Sequence, residues 1–361
     1  MPRQYLPFVD WLKTIGLALI VYGHVASRTS TFATPPVYQK QLGVAFFVFA
    51  MGFTLAREQR PRWRVVFNRL FEVWTMGLLF ALVMSAVGLA FLGDANESNY
   101  LPVFGITTLF MNDFPANPTT WYIGTYVHLL LVWALLLRHV RITVAVLAGL
   151  LVFEIVVRTV LIAMVGPFTA YMFLGNWITL LALGMGMGQQ QSGIGGNTAT
   201  AAILLIAVAV GWPLAVNAIP WRPVFPFMDI AAGPWASAFI VSTAVSAVYL
   251  GYTLSLFAFA RTLPSSSVAR FFARNTVVVF IAHMPLYYLL EWVLVSRVPA
   301  YEWRVALEFV ICFVVLALVS EIVRAGVQPD LLRERLGAQL APLLDRTHES
   351  SRIPVEQSAG L

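Results

Sequence analysis

The sequence predicts an all-α, polytopic integral membrane protein with about ten transmembrane helices and with both termini in the cytoplasm. Three observations carry this prediction. Of 361 residues, 59% are hydrophobic and 11% charged, with a mean hydropathy of +0.79, a balance that a water-soluble domain of this length does not sustain. Apolar stretches of bilayer-spanning length recur along the chain. Arginine and lysine are divided unevenly between the loops that join them.

The predicted spans are 6–26, 41–56, 70–92, 119–137, 142–165, 169–187, 198–217, 235–260, 276–296 and 303–324. Most have the ~17–25 residues a bilayer requires; the second is short. Tyr100–Asn112 is apolar but too brief to span, and is expected to dip into the membrane or lie along its outer surface. Residues 1–325 read as one transmembrane domain without internal repeats, and 326–361 as a polar cytoplasmic tail with a short amphipathic piece around Leu331–Leu344. Thr14–Val25 has the length of a signal-peptide core, but a basic loop and another span follow it, which argues against cleavage.

Orientation follows from the basic residues. With the N-terminus inside, 17 of the 23 Lys and Arg fall in cytoplasmic segments and 5 in outer loops, while Arg158 lies within a span. The long outer segment 93–118 has no Lys or Arg but holds Asp94, Glu97 and Asp113. Because the positive charge clusters at membrane boundaries, it implies membrane lipids rather than nucleic acid as partner. The single Cys312 sits in an apolar run, which rules out a disulfide framework and a cysteine metal site.

Ionisable residues inside the spans are costly and therefore point to function. In the first span, Lys13 and His24 are eleven residues apart. At ~100° per residue they share one helix face, roughly 16 Å apart along the axis, with Asp10 one turn before Lys13. A cation at the inner mouth and an imidazole beyond the midplane suggest a route across the bilayer. Imidazole titrates near neutrality and suits a general base acting on a hydroxyl. The alternative is an interfacial anchor pair, Asp10 and Lys13, with His24 as a packing histidine or polar cap.

The loop Arg57–Arg69 carries five arginines. They serve topology, and their guanidinium forks would also suit a phosphorylated ligand; Arg69, at the start of a helix beside Asn68, is the favoured contact. In Asn275–Trp292, His283 lies about two turns inside the ninth span and Pro285 follows it, as at a cavity-lining kink or a helix–helix hydrogen bond. Trp121 and Tyr122 open the fourth span, as an aromatic belt or as a wall for a sugar; His128 is a weaker candidate in mid-span. Glu154 and Arg158 form an i, i+4 pair that reads as structural. Glu72, Asn176, Glu291 and Glu308 are further intramembrane polar groups with no assigned role.

Taken together, Asp10, Lys13 and His24, the phenylalanine-rich second span ending in Met51-Gly52-Phe53, the loop leading to Arg69, the pair Trp121-Tyr122, and Arg274-Asn275 through His283 and Pro285 resemble the membrane acyltransferase-3 family. Lys13 and Gly23-His24 are similar to its fucose 4-O-acetylase-like branch, since the basic residue of this motif is more often Arg. The resemblance covers about residues 5–325. One departure concerns the Arg-x-x-Arg that often ends where Arg69 stands: the first position here is Val66, and Arg64 is the candidate substitute.

The resemblance implies transfer of an acyl group, commonly acetyl from acetyl-CoA, to a hydroxyl of an extracytoplasmic glycan or lipid-linked sugar, with acyl-CoA as co-substrate and no metal. By carry-over His24 is the catalytic residue, with Lys13 and Asp10 on its face. Lys13, Arg64, Arg69 and Asn275 would hold the acyl-CoA, and His283, Trp121 and Tyr122 would line the acceptor's site. The bacterial inner membrane is the expected location, with homo-oligomerisation open. The rival reading is a transporter or flippase for a polar lipid or sugar, whose pathway the same polar groups would line. A non-catalytic scaffold would leave His24 dispensable.

Overall fold

A computed structural model describes residues 5–26, 37–93, 121–190, 223–224, 227–228 and 234–345. Helix dominates these residues. Residues Pro223–Val224 and Phe227–Met228 make one short antiparallel pairing. The expected seventh span, 198–217, and the Tyr100–Asn112 segment lie outside the described residues.

Helix α1 runs Pro7–Val25, with Pro7 at its first turn, where a missing amide proton costs nothing. Helix α2 is Val37–Ala56 and α3 is Arg62–Leu92. At 1.5 Å per residue the 31 residues of α3 extend about 46 Å. That exceeds a hydrocarbon core of about 30 Å, so its basic first turns can stand clear of the apolar layer. It ends on Gly93, whose φ of 69° needs glycine. Helix α4, Trp121–Val132, continues through a π-helical turn at Trp133–Leu137. Helix α5 is Val144–Met164, and α6 is the short Pro167–Met172. Helix α7 is Ile178–Gln189, and α8 is Pro234–Ala260. Helices α9 and α10 are Ser267–Arg274 and Thr276–Leu294. Helix α11, Tyr301–Val310, passes through a π-helical turn into α12, Leu316–Val327. Helices α13, Pro329–Gln339, and α14, Ala341–Leu344, follow.

Among the described residues, five helical stretches are long and apolar enough to cross a membrane: Pro7–Val25, Val144–Met164, Trp235–Ala260, Thr276–Leu294 and Tyr301–Val327. Only 17% of the apolar window of α5 is buried, so this helix turns most of its surface outward, as a lipid-facing helix does. The sixth predicted span differs from expectation. Instead of one helix over 169–187, α6 gives way to a 3-10 turn at Leu174–Asn176 before α7 begins. The break turns the carbonyl and side chain of Asn176 towards Arg158 of α5.

That arginine is 3% exposed and spends all five N–H donors. Its Nε donates to Asn176 Oδ1 at 2.5 Å, and Nη1 to Ser242 O and Ser246 Oγ, both at 2.7 Å. Its Nη2 donates to Glu154 Oε1 at 2.5 Å and to Asn176 O at 3.2 Å. Ser246 Oγ and the Thr179 amide also donate to Glu154. The pair thus staples α5, α7 and α8 together, in line with the structural reading of Glu154 and Arg158.

Helix α2 is the hub of the bundle, and glycines let its backbone touch its neighbours. A Cβ on Gly43 would stand 2.3 Å from Gly16 O of α1; one on Gly52, 2.0 Å from Leu181 O of α7; one on Gly184, 2.2 Å from Phe49 O. Small residues that admit such approach are how apolar helices associate where lipid is as apolar as leucine. Gly52→Ala and Gly184→Ala are each expected to cost roughly 1–3 kcal/mol or more, because the obstacle is backbone rather than a movable side chain. Gly251→Ala, with nothing within 4 Å, serves as the control. Thermal unfolding in detergent should show a lower Tm for the first two only; three equal midpoints would refute the close-packing argument.

Candidate functional site

The site is built from one end of the bundle, where α1 begins, α2 ends, α3 begins, and α10 meets α12. Helix α1 is pinned there by two side chains. Trp11 Nε1 donates to Pro264 O at 2.8 Å, and Thr14 Oγ1 to Ala269 O at 2.9 Å. Below them Tyr5 donates to Asp10 Oδ2 at 2.6 Å, with the Arg270 guanidinium 4.3 Å from the Tyr5 ring centroid. Partial desolvation, then the Asp10 carboxylate, raise the Tyr5 hydroxyl above its ordinary range, so it stays a donor.

Beside this anchored helix lies a cavity of about 370 Å³, within the size range of small-molecule sites. Its polar part is lined by the cations Lys13, Arg69, Arg274 and Arg324, with Asn68, Glu72 and Asp330 among them. Arg69 is aimed by its own bond, Nη2 to Thr54 Oγ1 at 2.8 Å, while Thr54 donates to Ala50 O at 2.9 Å. Arg324 is 9% exposed; it pairs with Glu72 and donates to Arg274 O at 2.8 Å. Arg274 pairs with Glu321. Four cations against two lining carboxylates leave the polar end net positive, suited to an anionic ligand.

The other end of the cavity is apolar and aromatic. Phe47 and Tyr122 stack at 6.2 Å between centroids, and both pack against Phe280, at 6.5 and 5.5 Å. Directly beyond, the Phe280 ring is 6.1 Å from that of His283, and His283 is 5.3 Å from His24. Two histidines 259 positions apart in the chain therefore meet one aromatic ring away from the end of a cationic cavity. His283 is fully buried, with Nδ1 3.0 Å from Val279 O, while Cys312 Sγ reaches His283 O at 3.6 Å.

Of the residues singled out from sequence, Lys13, Arg69 and Tyr122 line the cavity, and His24 and His283 come together behind it. Four others stand outside the lining. Asp10 is engaged by Tyr5. Arg64 is held by Asp345 through two bonds, at 2.9 and 2.7 Å. Asn275 is fully buried: its Nδ2 donates to Phe271 O and Glu321 Oε2, both at 2.9 Å, and its Oδ1 accepts from Ser320 at 2.7 Å. That set of bonds ties α9, α10 and α12 together. Trp121 is buried against Tyr171 at 4.6 Å and stacked on Trp177 at 6.1 Å.

Arg274, Arg324, Glu72, Phe280 and Asp330 were not picked out as a site. Arg324 reads as an ordinary boundary arginine, Arg274 enters only through the motif that carries the family resemblance, and no local spacing links Glu72 to Arg324. Asp330 belongs to the tail, whose helix α13 packs along α3, where a Cβ on Gly337 would stand 3.4 Å from Phe67.

A family model described as an acyltransferase domain matches residues 6–324. No curated protein and no solved structure matches the chain.

Proposed function

The chain belongs to the acyltransferase-3 family and is an acyltransferase with apolar helices of a multi-pass membrane protein; from that premise we propose that it moves an acyl group, acetyl foremost, from cytoplasmic acyl-CoA to a hydroxyl of an extracytoplasmic glycan or lipid-linked sugar. In this reading the chain crosses a bacterial inner membrane about ten times with both ends inside. The resemblance of Lys13 and Gly23-His24 to the fucose 4-O-acetylase-like branch motivates a sugar hydroxyl as acceptor.

One observation carries the proposal: a cavity with four cations at one end and an aromatic floor at the other, with His24 and His283 just beyond that floor. The anionic part of the donor suits Lys13, Arg69, Arg274 and Arg324. The acyl thioester suits the Phe47–Tyr122–Phe280 end. His24 takes the proton of the acceptor hydroxyl as its oxygen bonds to the acyl carbon, and returns it to the sulfur when the carbon–sulfur bond breaks. The acyl group ends on the acceptor oxygen and the proton on the thiol, so the step needs no other reactant. A general base of this kind contributes typically 10²–10⁴-fold.

Calorimetry with acetyl-CoA on the detergent-purified protein tests the donor site. Wild type is expected to bind saturably. Lys13→Ala and Arg69→Ala should each weaken binding by roughly tenfold or more, as expected for loss of a charge-assisted contact of about 1.5–3 kcal/mol. Arg64→Ala, which removes a side chain already held by Asp345, should change it by less than about threefold, since a half-exposed pair contributes little. Failure of a folded sample to bind acetyl-, succinyl- or longer acyl-CoA would overturn the donor-site assignment.

A further inference from the structure

The cationic cavity has one lining residue from beyond the matched family domain. The match ends at residue 324, yet Asp330 lines the same cavity as Lys13, Arg69 and Arg324. The turn that brings it there is strained. Helix α12 ends and α13 begins on a single residue, Gln328, at φ 48° and ψ 57°. Among the described residues it is the one non-glycine with positive φ, a conformation in which Cβ crowds the following carbonyl. Pro329, with φ preset for a helix, then starts α13. The segment is held along α3. A Cβ on Gly337 would stand 3.4 Å from Phe67. At the far end Asp345 accepts two bonds from Arg64, from Nε at 2.9 Å and from Nη2 at 2.7 Å. Residues 328–345 therefore form a strap, strained at one end and fastened at the other, with a carboxylate in the cavity wall.

Charge sets what the strap does. Of the two lining carboxylates, Glu72 is paired with Arg324. Asp330 meets Arg333 of its own helix at 2.8 Å, and its side chain is 69% exposed, which puts it at the mouth. An anion bound among the lining cations is repelled by this carboxylate. We propose that the strap is autoinhibitory: Asp330 opposes the anionic end of the donor at the cavity mouth, and residues 328–345 lift from α3 when the donor seats. The inference rests on the reading of this cavity as the donor site. Apparent donor affinity is then the intrinsic affinity scaled by the fraction of molecules with the strap lifted. Two features keep lifting inexpensive. The Arg64–Asp345 pair is half-exposed, and such pairs contribute little. A lifted strap also frees Gln328 to leave its left-handed conformation.

The test is calorimetry on the full chain in detergent, with acetyl-CoA and with inorganic pyrophosphate, for wild type, Asp330→Asn and Asp345→Asn. Amide hydrogen exchange across 330–344 is followed on the same samples. Asp330→Asn should tighten both ligands by roughly three- to tenfold at low salt, a gain that shrinks as salt is raised. Asp345→Asn should tighten them in the same direction by less than about threefold, and should speed exchange in α13. Acetyl-CoA should speed that exchange in wild type. Binding that is unchanged or weaker in Asp330→Asn, or exchange in α13 that acetyl-CoA leaves unchanged or slows, would overturn the strap and leave the donor site standing. Pyrophosphate that binds and tightens in Asp330→Asn, with no binding of acetyl-CoA, would defeat the donor site and leave the strap standing. Binding of neither ligand by any of the three folded proteins would overturn both.

Discussion

His24→Ala is expected to lower acyl transfer by roughly 10²–10⁴-fold while leaving acetyl-CoA affinity within about threefold of wild type. The split follows from where the residue stands. His24 is not part of the cavity lining; the cations that suit the donor are Lys13, Arg69, Arg274 and Arg324. Removing the imidazole takes away the proton acceptor and nothing that would grip the donor. Helix α1 keeps its anchors at Trp11 and Thr14, more than two turns away, so insertion and folding should persist. The comparison pairs a transfer assay, read as acylated acceptor and released thiol, with calorimetry on the same preparations. Transfer at the wild-type rate in His24→Ala would end the general-base assignment. Loss of both transfer and binding would instead assign His24 to the donor site.

The largest effect on stability is expected at Arg158. Arg158→Leu strips a 2% exposed Glu154 of its cation and leaves only the bonds from Ser246 and the Thr179 amide. Breaking one side of a buried ion pair typically costs 3–5 kcal/mol, because the remaining charge has nowhere to be solvated. The Asn176 carbonyl and amide oxygen and Ser242 O would lose their donors as well, so the α6–α7 break should loosen with the pair. The double variant Glu154→Gln with Arg158→Met should recover much of the loss, since it removes both buried charges together. Unfolding of the detergent-solubilised protein measures all three. A single variant as stable as wild type would mean that the pair is solvated rather than sealed between α5, α7 and α8.

Much of the architecture could be read from composition and spacing. Apolar stretches long enough to cross a bilayer, the eleven-residue interval that aligns Lys13 with His24, and the i, i+4 placement of Glu154 and Arg158 are local properties. The arithmetic of one helix settles them. The family resemblance was legible for the same reason, since its motifs lie within single segments. The helix break at Leu174–Asn176 was not legible. A lone Gly175-Asn176 pair in an apolar run is no stop signal by itself, and what favours the break is the set of bonds that Asn176 makes to Arg158, on another helix.

The site divides along the same line. The sequence by itself determined which groups are costly to hold in a membrane: Lys13, His24, Arg69, Glu154, Arg158, His283 and Glu308. Only the tertiary structure decided that His24 and His283 meet, that Arg324 joins Glu72 in a cavity wall, that Asp330 from the tail reaches the same cavity, and that Asn275 is occupied in tying helices together. In water, an apolar stripe announces which face of a helix is inward. In an all-apolar span there is little such stripe to read, and the facing is set instead by backbone contact through Gly43, Gly52 and Gly184 and by buried polar groups seeking partners across helices.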